Sequence, residues 1–176
     1  MVYLLRKTVG GNEVEIERKY LVTDKNKINE LMEQYGENKK SIVQDYIYSD
    51  IFTAIRKRKI QKSGDIKYIY TVKTCRSGYY SVNEIEKEIT KEQYDLLGKD
   101  ENRITIEKDR YFIPYLEGLT IELDVFHGVY EGIVFAEIEF SSEEQAKAIQ
   151  VPDWFNKEIG NNISNDMMSR KYIKEF

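Results

Sequence analysis

The chain has one cysteine, Cys75, and one histidine, His127, in 176 residues. No intrachain disulfide can form, and a zinc site built on several thiolates lacks its ligands. A histidine-centred triad or histidine-rich metal cluster is likewise not expected, so the chemistry has to rest mainly on carboxylates, lysines, arginines and tyrosines. Proline occurs only 2 times, which leaves long strands uninterrupted. Long apolar runs are also missing. The opening "MVYLLRKTVGG" is too short for a signal peptide or membrane anchor, and nothing later reaches spanning length. A cytoplasmic protein with no membrane partner is therefore expected. Positive charge is not in excess either, the formal net charge being -4. The protein as a whole is not a basic nucleic-acid binder, and any positive site must be local.

What the chain does have is charge of both signs, 33% of its residues, together with 14 tyrosines and 7 phenylalanines. With so little proline, this composition suits long β-strands. One domain over residues 1–176 is expected, with residues 1–12 a flexible N-terminal extension ending in Gly10-Gly11-Asn12. The following "EVEIERKY" puts Glu13, Glu15, Glu17 and Lys19 on one face of a strand and Val14, Ile16, Arg18 and Tyr20 on the other. A helix started by Asp24 or Asn26 and ended by Gly36 carries Ile28, Leu31, Met32 and Tyr35.

"SIVQDYIYSD", "FTAIRKRKIQ" and "IKYIYTVKT" read as an antiparallel meander, with a turn at Lys62-Ser63-Gly64-Asp65. "YYSVNEIEKEI" leads to a short helix opened by Thr90 and Gln93 at capping-box spacing and stopped at Gly98. "NRITIEKDRYFI", "LTIELDVF" and "GIVFAEIEF" bring the strands to about eight, compatible with a closed barrel, and the pattern turns helical from Ser142 through "NDMMSRKYIKEF". The fold class is α+β with β-structure dominant.

Charges recur at spacing two along these runs: Arg56 and Arg58, Thr71 and Lys73, Glu84, Glu86 and Glu88, Lys108 and Arg110, Glu122 and Asp124, Glu137 and Glu139. One such pair is ordinarily a solvated face with cross-strand ion pairs. Repetition in strand after strand, with apolar residues opposite, argues instead for charged faces turned into a lumen and apolar faces turned outward beneath helices. Unpaired charges taken from water cost several kcal/mol each, so such a lumen must stay wet, pair its charges or hold a highly charged ligand. Arginine and lysine suit phosphate oxygens, and carboxylates suit hard divalent cations. Both halves suit a metal-bound polyphosphate. The "RKRK" of Arg56 to Lys59 resembles a nucleic-acid patch only until strand parity splits it between two faces.

Glu15-Ile16-Glu17-Arg18-Lys19 resembles the ExExK signature of the CYTH superfamily, the triphosphate tunnel metalloenzymes. The resemblance continues in order through "AIRKR", "YTVKT", "NEIEKEI", "EKDRY", "IELDVF" and "AEIEF", roughly from Glu13 to Phe155. It implies an eight-stranded antiparallel tunnel barrel with peripheral helices and a C-terminal helix, binding triphosphates with Mg²⁺ or Mn²⁺ and hydrolysing or rearranging them. By position it implies Glu15, Glu17, Glu137 and Glu139 as metal ligands. Asp124, Glu84 and Glu86 complete the acidic lining, serving a second metal or placing the attacking water. Lys19, Arg56, Arg58, Lys73, Lys108 and Arg110 become phosphate binders.

The stretch Gln44-Asp45-Tyr46-Ile47 resembles a strand of small bacterial-type members, in which the tyrosine contacts the signature lysine; Tyr46 is then expected to orient Lys19. Trp154 and Phe155 are expected to pack. The C-terminus departs from the family pattern, with only Asn165 matching, and Arg170 and Lys171 are expected on a solvated helix face in preference to the alternative, supplying charge at a tunnel mouth. The first expected substrate is inorganic tripolyphosphate, cleaved to pyrophosphate and phosphate without a Ser, Cys or His nucleophile. An adenylate cyclase, a thiamine or nucleoside triphosphatase and a non-catalytic polyphosphate-binding module are the other readings, and the protein is expected as monomer or homodimer.

Overall fold

Ten strands and four helices form in the described residues, 8–9, 12–50, 52–75, 81–159 and 164–170, of this computed structural model. The strands are β1 (Thr8–Val9), β2 (Asn12–Leu21), β3 (Lys40–Ser49), β4 (Thr53–Lys62), β5 (Asp65–Cys75), β6 (Ser81–Ile89), β7 (Ile106–Pro114), β8 (Thr120–Phe126), β9 (Val134–Glu139) and β10 (Lys157–Glu158). The helices are α1 (Lys25–Tyr35), α2 (Lys91–Leu96), α3 (Glu143–Ala148) and α4 (Asn165–Arg170).

Eight strands pair antiparallel in the circuit β2-β6-β5-β4-β3-β7-β8-β9, and β9 pairs back onto β2. Strand β2 serves both ends of the circuit: Glu13 to Ile16 pair with β6, and Glu17 to Leu21 pair with β9. The barrel is thus joined through a staggered seam along β2. In this circuit β3 stands four strands from β2 in either direction, on the opposite wall.

Local chemistry explains the element ends. The Asp24 carboxylate accepts from the backbone N–H groups of Asn26 and Lys27 and starts α1. Thr90 and Gln93 form the reciprocal capping box of α2, and Ser142 caps α3 by accepting from Gln145. The β4–β5 hairpin turns on Ser63 and Gly64, with φ of 49° and 93°, the paired left-handed residues that a two-residue turn needs to match strand twist. The expected strand from Asn102 starts later, at Ile106, because Arg103 is held in a side-chain cluster described below. Much of the expected N-terminal extension lies outside the described residues, but Thr8 and Val9 pair with Glu13 and Asn12.

The apolar core sits outside the barrel wall, as the strand parity requires. Tyr20, Tyr111, Ile113, Ile121, Leu123, Ala136 and Ile138 turn outward and pack with Ile28 and Leu31 of α1 and Ala146 of α3. Phe155 stacks on Tyr20 at 4.6 Å between ring centroids, with Trp154 at 4.6 Å behind it, so both aromatic residues pack as expected. No helix among the described residues is long and apolar enough to cross a membrane.

Candidate functional site

Inward residues of the strands line a cavity of about 620 Å³. On one wall, β2 and β9 place Glu17 opposite Glu139 and Lys19 opposite Glu137, while β8 sets Glu122 opposite Glu137. Lys19 is 5% exposed; its Nζ lies 2.9 Å from Glu137 and 3.7 Å from Glu17. Strand β7 adds Lys108, which bonds Asp124, and Arg110. The Arg110 guanidinium donates to both Asp124 oxygens at 2.6 Å and to Glu137 at 2.7 Å, and also pairs with Glu122.

A second cluster faces the first across the lumen. Arg56 of β4 lies 3.7 Å from Glu84 and 3.8 Å from Glu86 of β6, Arg58 pairs with Glu86, and Lys73 of β5 sits 2.7 Å from Glu84. Thr71 between them donates to Glu86 at 3.0 Å. Each cluster therefore carries three of the six expected phosphate-binding cations, already held by carboxylates.

Electrostatics follow from this pairing. Burial alone would discharge Lys19, but the Glu137 and Glu17 carboxylates outweigh it and raise its pKa above the ordinary lysine value. Burial would raise Glu137 too, yet Lys19 and Arg110 hold it well below the usual carboxylate range. Glu84 falls to about 2 because Lys73 and Arg56 overcome its burial. Lys108 is pushed down to about 8, first by burial and then by the Arg110 charge, against the pull of Asp124. Burial raises Glu122. The lumen is a charge-paired site in which carboxylates hold each of these cations in place.

The low Glu84 pKa makes stability pH-dependent. Its folded-state value of about 2 lies below the ordinary 4.5, so the folded chain binds that proton more weakly than the unfolded one. The stabilisation is present above pH 4.5 and lost as pH falls through the window toward 2. Up to about 3 kcal/mol is at stake. Denaturant unfolding at pH 6 and pH 3 should show a smaller acid loss in Glu84→Gln than in the wild type; equal losses would remove Glu84 from this account.

Tyr46 is buried and lumen-facing, and its hydroxyl accepts from Gln44 Nε2 at 3.0 Å. Its strand β3 stands four places from the Lys19 strand β2 in the circuit, so any contact between Tyr46 and Lys19 is made across the lumen and not along one wall. Asp124 is fully buried behind the lining, its carboxylate engaged by Lys108 and Arg110. The side chain of Glu15 lies outside the described residues. Among the described residues, no three acidic side chains form a ready-made metal cluster.

Residues beyond the expected set also reach the lumen. Lys40, Ile42 and Gln44 of β3 and Phe112 of β7 line it beside Glu122 of β8, whose charged face was expected there, and α4 covers one end with Asn165, Asp166 and Arg170. Parity with Tyr46 and with Arg110 could have found the strand residues. Helix α4 is clasped by Arg103, which bonds Asp100 at 3.2 Å, Asp166 at 2.9 Å, Ser169 at 3.1 Å and the Ser49 hydroxyl at 2.7 Å. Arg170, expected on a solvated face, lines the cavity and donates to Ser49 at 2.8 Å and to Asp166 at 2.8 Å. Lys171 lies outside the described residues.

No protein-family model matches the chain. The inorganic triphosphatase of Acetivibrio thermocellus is 32% identical over 148 residues, covering 82% of this chain and 85% of that protein. The inorganic triphosphatase of Nitrosomonas europaea is 34% identical over 93 residues, 53% of this chain, and the chain spans about 60% of that relative's length. Among solved structures, the inorganic triphosphatase NE1496 is 29% identical at a TM-score of 0.59, covering 89% of this chain and 95% of that one. A Hippeastrum protein described as an adenylyl cyclase with a dominant triphosphatase activity is similar at a TM-score of 0.58 over 76% of this chain and 82% of its own. At 15% identity that likeness shows the fold alone.

Proposed function

The chain belongs to the family of the inorganic triphosphatases, enzymes that hydrolyse triphosphates, and on that premise we propose that its lumen cleaves inorganic tripolyphosphate to pyrophosphate and phosphate with a divalent metal ion. The observation that carries this reading is the pair of facing cation clusters, Lys19, Lys108 and Arg110 on one wall and Arg56, Arg58 and Lys73 on the other. A chain of phosphates lying between them offers oxygens to both walls at once.

The acidic side chains serve two roles. Asp124, Glu84 and Glu86 orient the cations that hold the phosphates, and Glu137 does so as well as standing among the candidate metal ligands. Glu17 and Glu139 sit directly opposite each other across the β2–β9 ladder, a like-charge juxtaposition that is unfavourable alone and fits a divalent cation between hard oxygen donors. Glu15 stands two residues before Glu17 in β2, and Glu137 two residues before Glu139 in β9. These residues would hold Mg²⁺ or Mn²⁺, which when bound would neutralise phosphate oxygen charge and acidify a water.

Lys19, Arg56, Arg58, Lys73, Lys108 and Arg110 fix the substrate in line and take up charge that builds on the phosphate oxygens. Glu86, the more exposed carboxylate of the β6 pair, is placed to orient the attacking water. Tyr46 and Gln44 bound the chain on the β3 side. Such catalysis is positioning and electrostatics, with no covalent enzyme intermediate.

Purified protein given tripolyphosphate, ATP and thiamine triphosphate with Mg²⁺ or Mn²⁺ should release phosphate fastest from tripolyphosphate. Cyclic AMP from ATP as the main product would move the chain to the cyclase reading. Tight binding of all three with no turnover in either metal would make it a binding module.

A further inference from the structure

One lumen cation stands apart from the others. Lys19, Arg56, Arg58, Lys73, Lys108, Arg110 and Arg170 each have a carboxylate within ion-pair distance. Lys40, which lines the same cavity, makes no ion pair among the described residues. Its ammonium rests instead over the Phe112 ring, 4.6 Å from the centroid.

Its surroundings make that position costly. Lys40 lies directly opposite Arg110 in the β3–β7 ladder, a like-charge cross-strand pair with Cβ atoms about 5 Å apart. The carboxylates nearest Arg110 are already engaged by it: Asp124, Glu122 and Glu137. Lys40 is half-buried, and burial followed by the charges of Arg110, Lys62 and Arg58 lowers its pKa, with Glu122 the opposing pull. A half-buried ammonium facing a guanidinium, with no counter-charge in contact, is an anion site awaiting its anion.

Its place along the lumen says which anion. Helix α4 packs against the opposite end of β3, where Arg170 bonds Ser49 and the Asp50 carbonyl. Lys40 begins β3, so it lies at the end of the lumen away from α4. Phe112 supports it, Ile42 follows on the same strand face, and the charges acting on it are mostly positive, Arg110, Lys62 and Arg58, against the Glu122 carboxylate that pairs with Arg110.

We propose that Lys40, together with Arg110 and supported by Phe112, forms an additional phosphate subsite that receives the outermost phosphate of an inorganic polyphosphate chain. This rests on the triphosphatase reading for its substrate. The subsite itself is a binding claim. Lys40 is a substrate-binding residue that holds the free end of the chain, and an inorganic terminal phosphate suits it better than one esterified to an organic group, which carries less charge.

The test compares wild type with Lys40→Met, which keeps the apolar stem over Phe112, and with Lys40→Arg, which keeps the charge. Lys40→Met should raise KM for tripolyphosphate and tetrapolyphosphate about tenfold with kcat changed far less, and Lys40→Arg should recover most of the loss. Without anion, Lys40→Met should unfold at the same temperature as wild type or higher, because it removes a like-charge pair. Thermal protection by tripolyphosphate in the absence of metal should shrink in Lys40→Met, a readout that needs no turnover. Wild-type KM and wild-type protection in Lys40→Met would overturn the subsite even if the enzyme is a triphosphatase. Lower anion-free stability that Lys40→Arg does not restore would make Lys40 a packing residue and overturn it too. If no triphosphate is hydrolysed at all, the protection experiment still decides the subsite.

Discussion

Asp124→Asn should lower the melting temperature of the ligand-free protein by about 10 °C. The carboxylate is fully buried and accepts from Lys108 and from two nitrogens of Arg110. Asparagine keeps the shape but removes the charge that compensates both cations. Breaking one side of a buried ion pair costs about 3–5 kcal/mol, because the remaining charge stays behind in a poorly solvated place. Arg110 cannot discharge, and its links to Glu137 and Glu122 then carry an excess of positive charge. Added tripolyphosphate should restore more stability to Asp124→Asn than it adds to the wild type, since the polyanion supplies the missing negative charge. Thermal unfolding with and without tripolyphosphate checks both statements. A drop of only a degree or two would show that Asp124 is not the counter-charge of this wall.

Glu17→Gln should behave in the opposite way, folding normally while losing turnover by roughly a hundredfold or more, with the half-saturating concentration of Mg²⁺ or Mn²⁺ raised. Glu17 is directly opposite Glu139, so neutralising it relieves a like-charge pair, and its 3.7 Å approach to Lys19 is the weaker of that lysine's two ion pairs. Little stability should be lost. On the proposed reading, the activity effect comes from removing one of the carboxylates that would hold the divalent cation. Steady-state rates titrated with metal, beside a melting curve, separate the two effects. Wild-type metal dependence in a folded Glu17→Gln would place the metal elsewhere. Asp124 and Glu17 differ in what surrounds them: Asp124 is engaged by Lys108 and Arg110, while Glu17 makes the longer of the two Lys19 ion pairs and stands opposite Glu139.

Strand parity made much of this legible. A period of two in "EVEIERKY", "AIRKR" and "AEIEF" is enough to say that charged groups share a face, and the apolar residues between them had to find helices outside. Helix ends were equally readable, since Asp24, Thr90 with Gln93, and Ser142 are capping chemistry that acts within a few residues. Strand order is another matter. Nothing local to Tyr46 or Lys19 says that β3 stands across the barrel from β2, because that follows from pairings such as β3 with β7 that skip three intervening strands in the chain. Lys40 was hidden for a related reason: the inward face of β3 reads Lys40, Ile42, Gln44, Tyr46, a mixture without the charge repetition that marked its neighbours. Arg103 and Arg170 act through α4, and their contacts reach back to Ser49, 54 and 121 residues away.

The central claim is that the two facing cation clusters hold a triphosphate for metal-assisted attack by water. Phosphorus NMR of tripolyphosphate incubated with the protein tests it most directly. The account predicts one pyrophosphate and one orthophosphate per tripolyphosphate consumed, with Mg²⁺ or Mn²⁺ present and not after chelation. An unchanged tripolyphosphate spectrum under both metal conditions, from a folded protein, would contradict it.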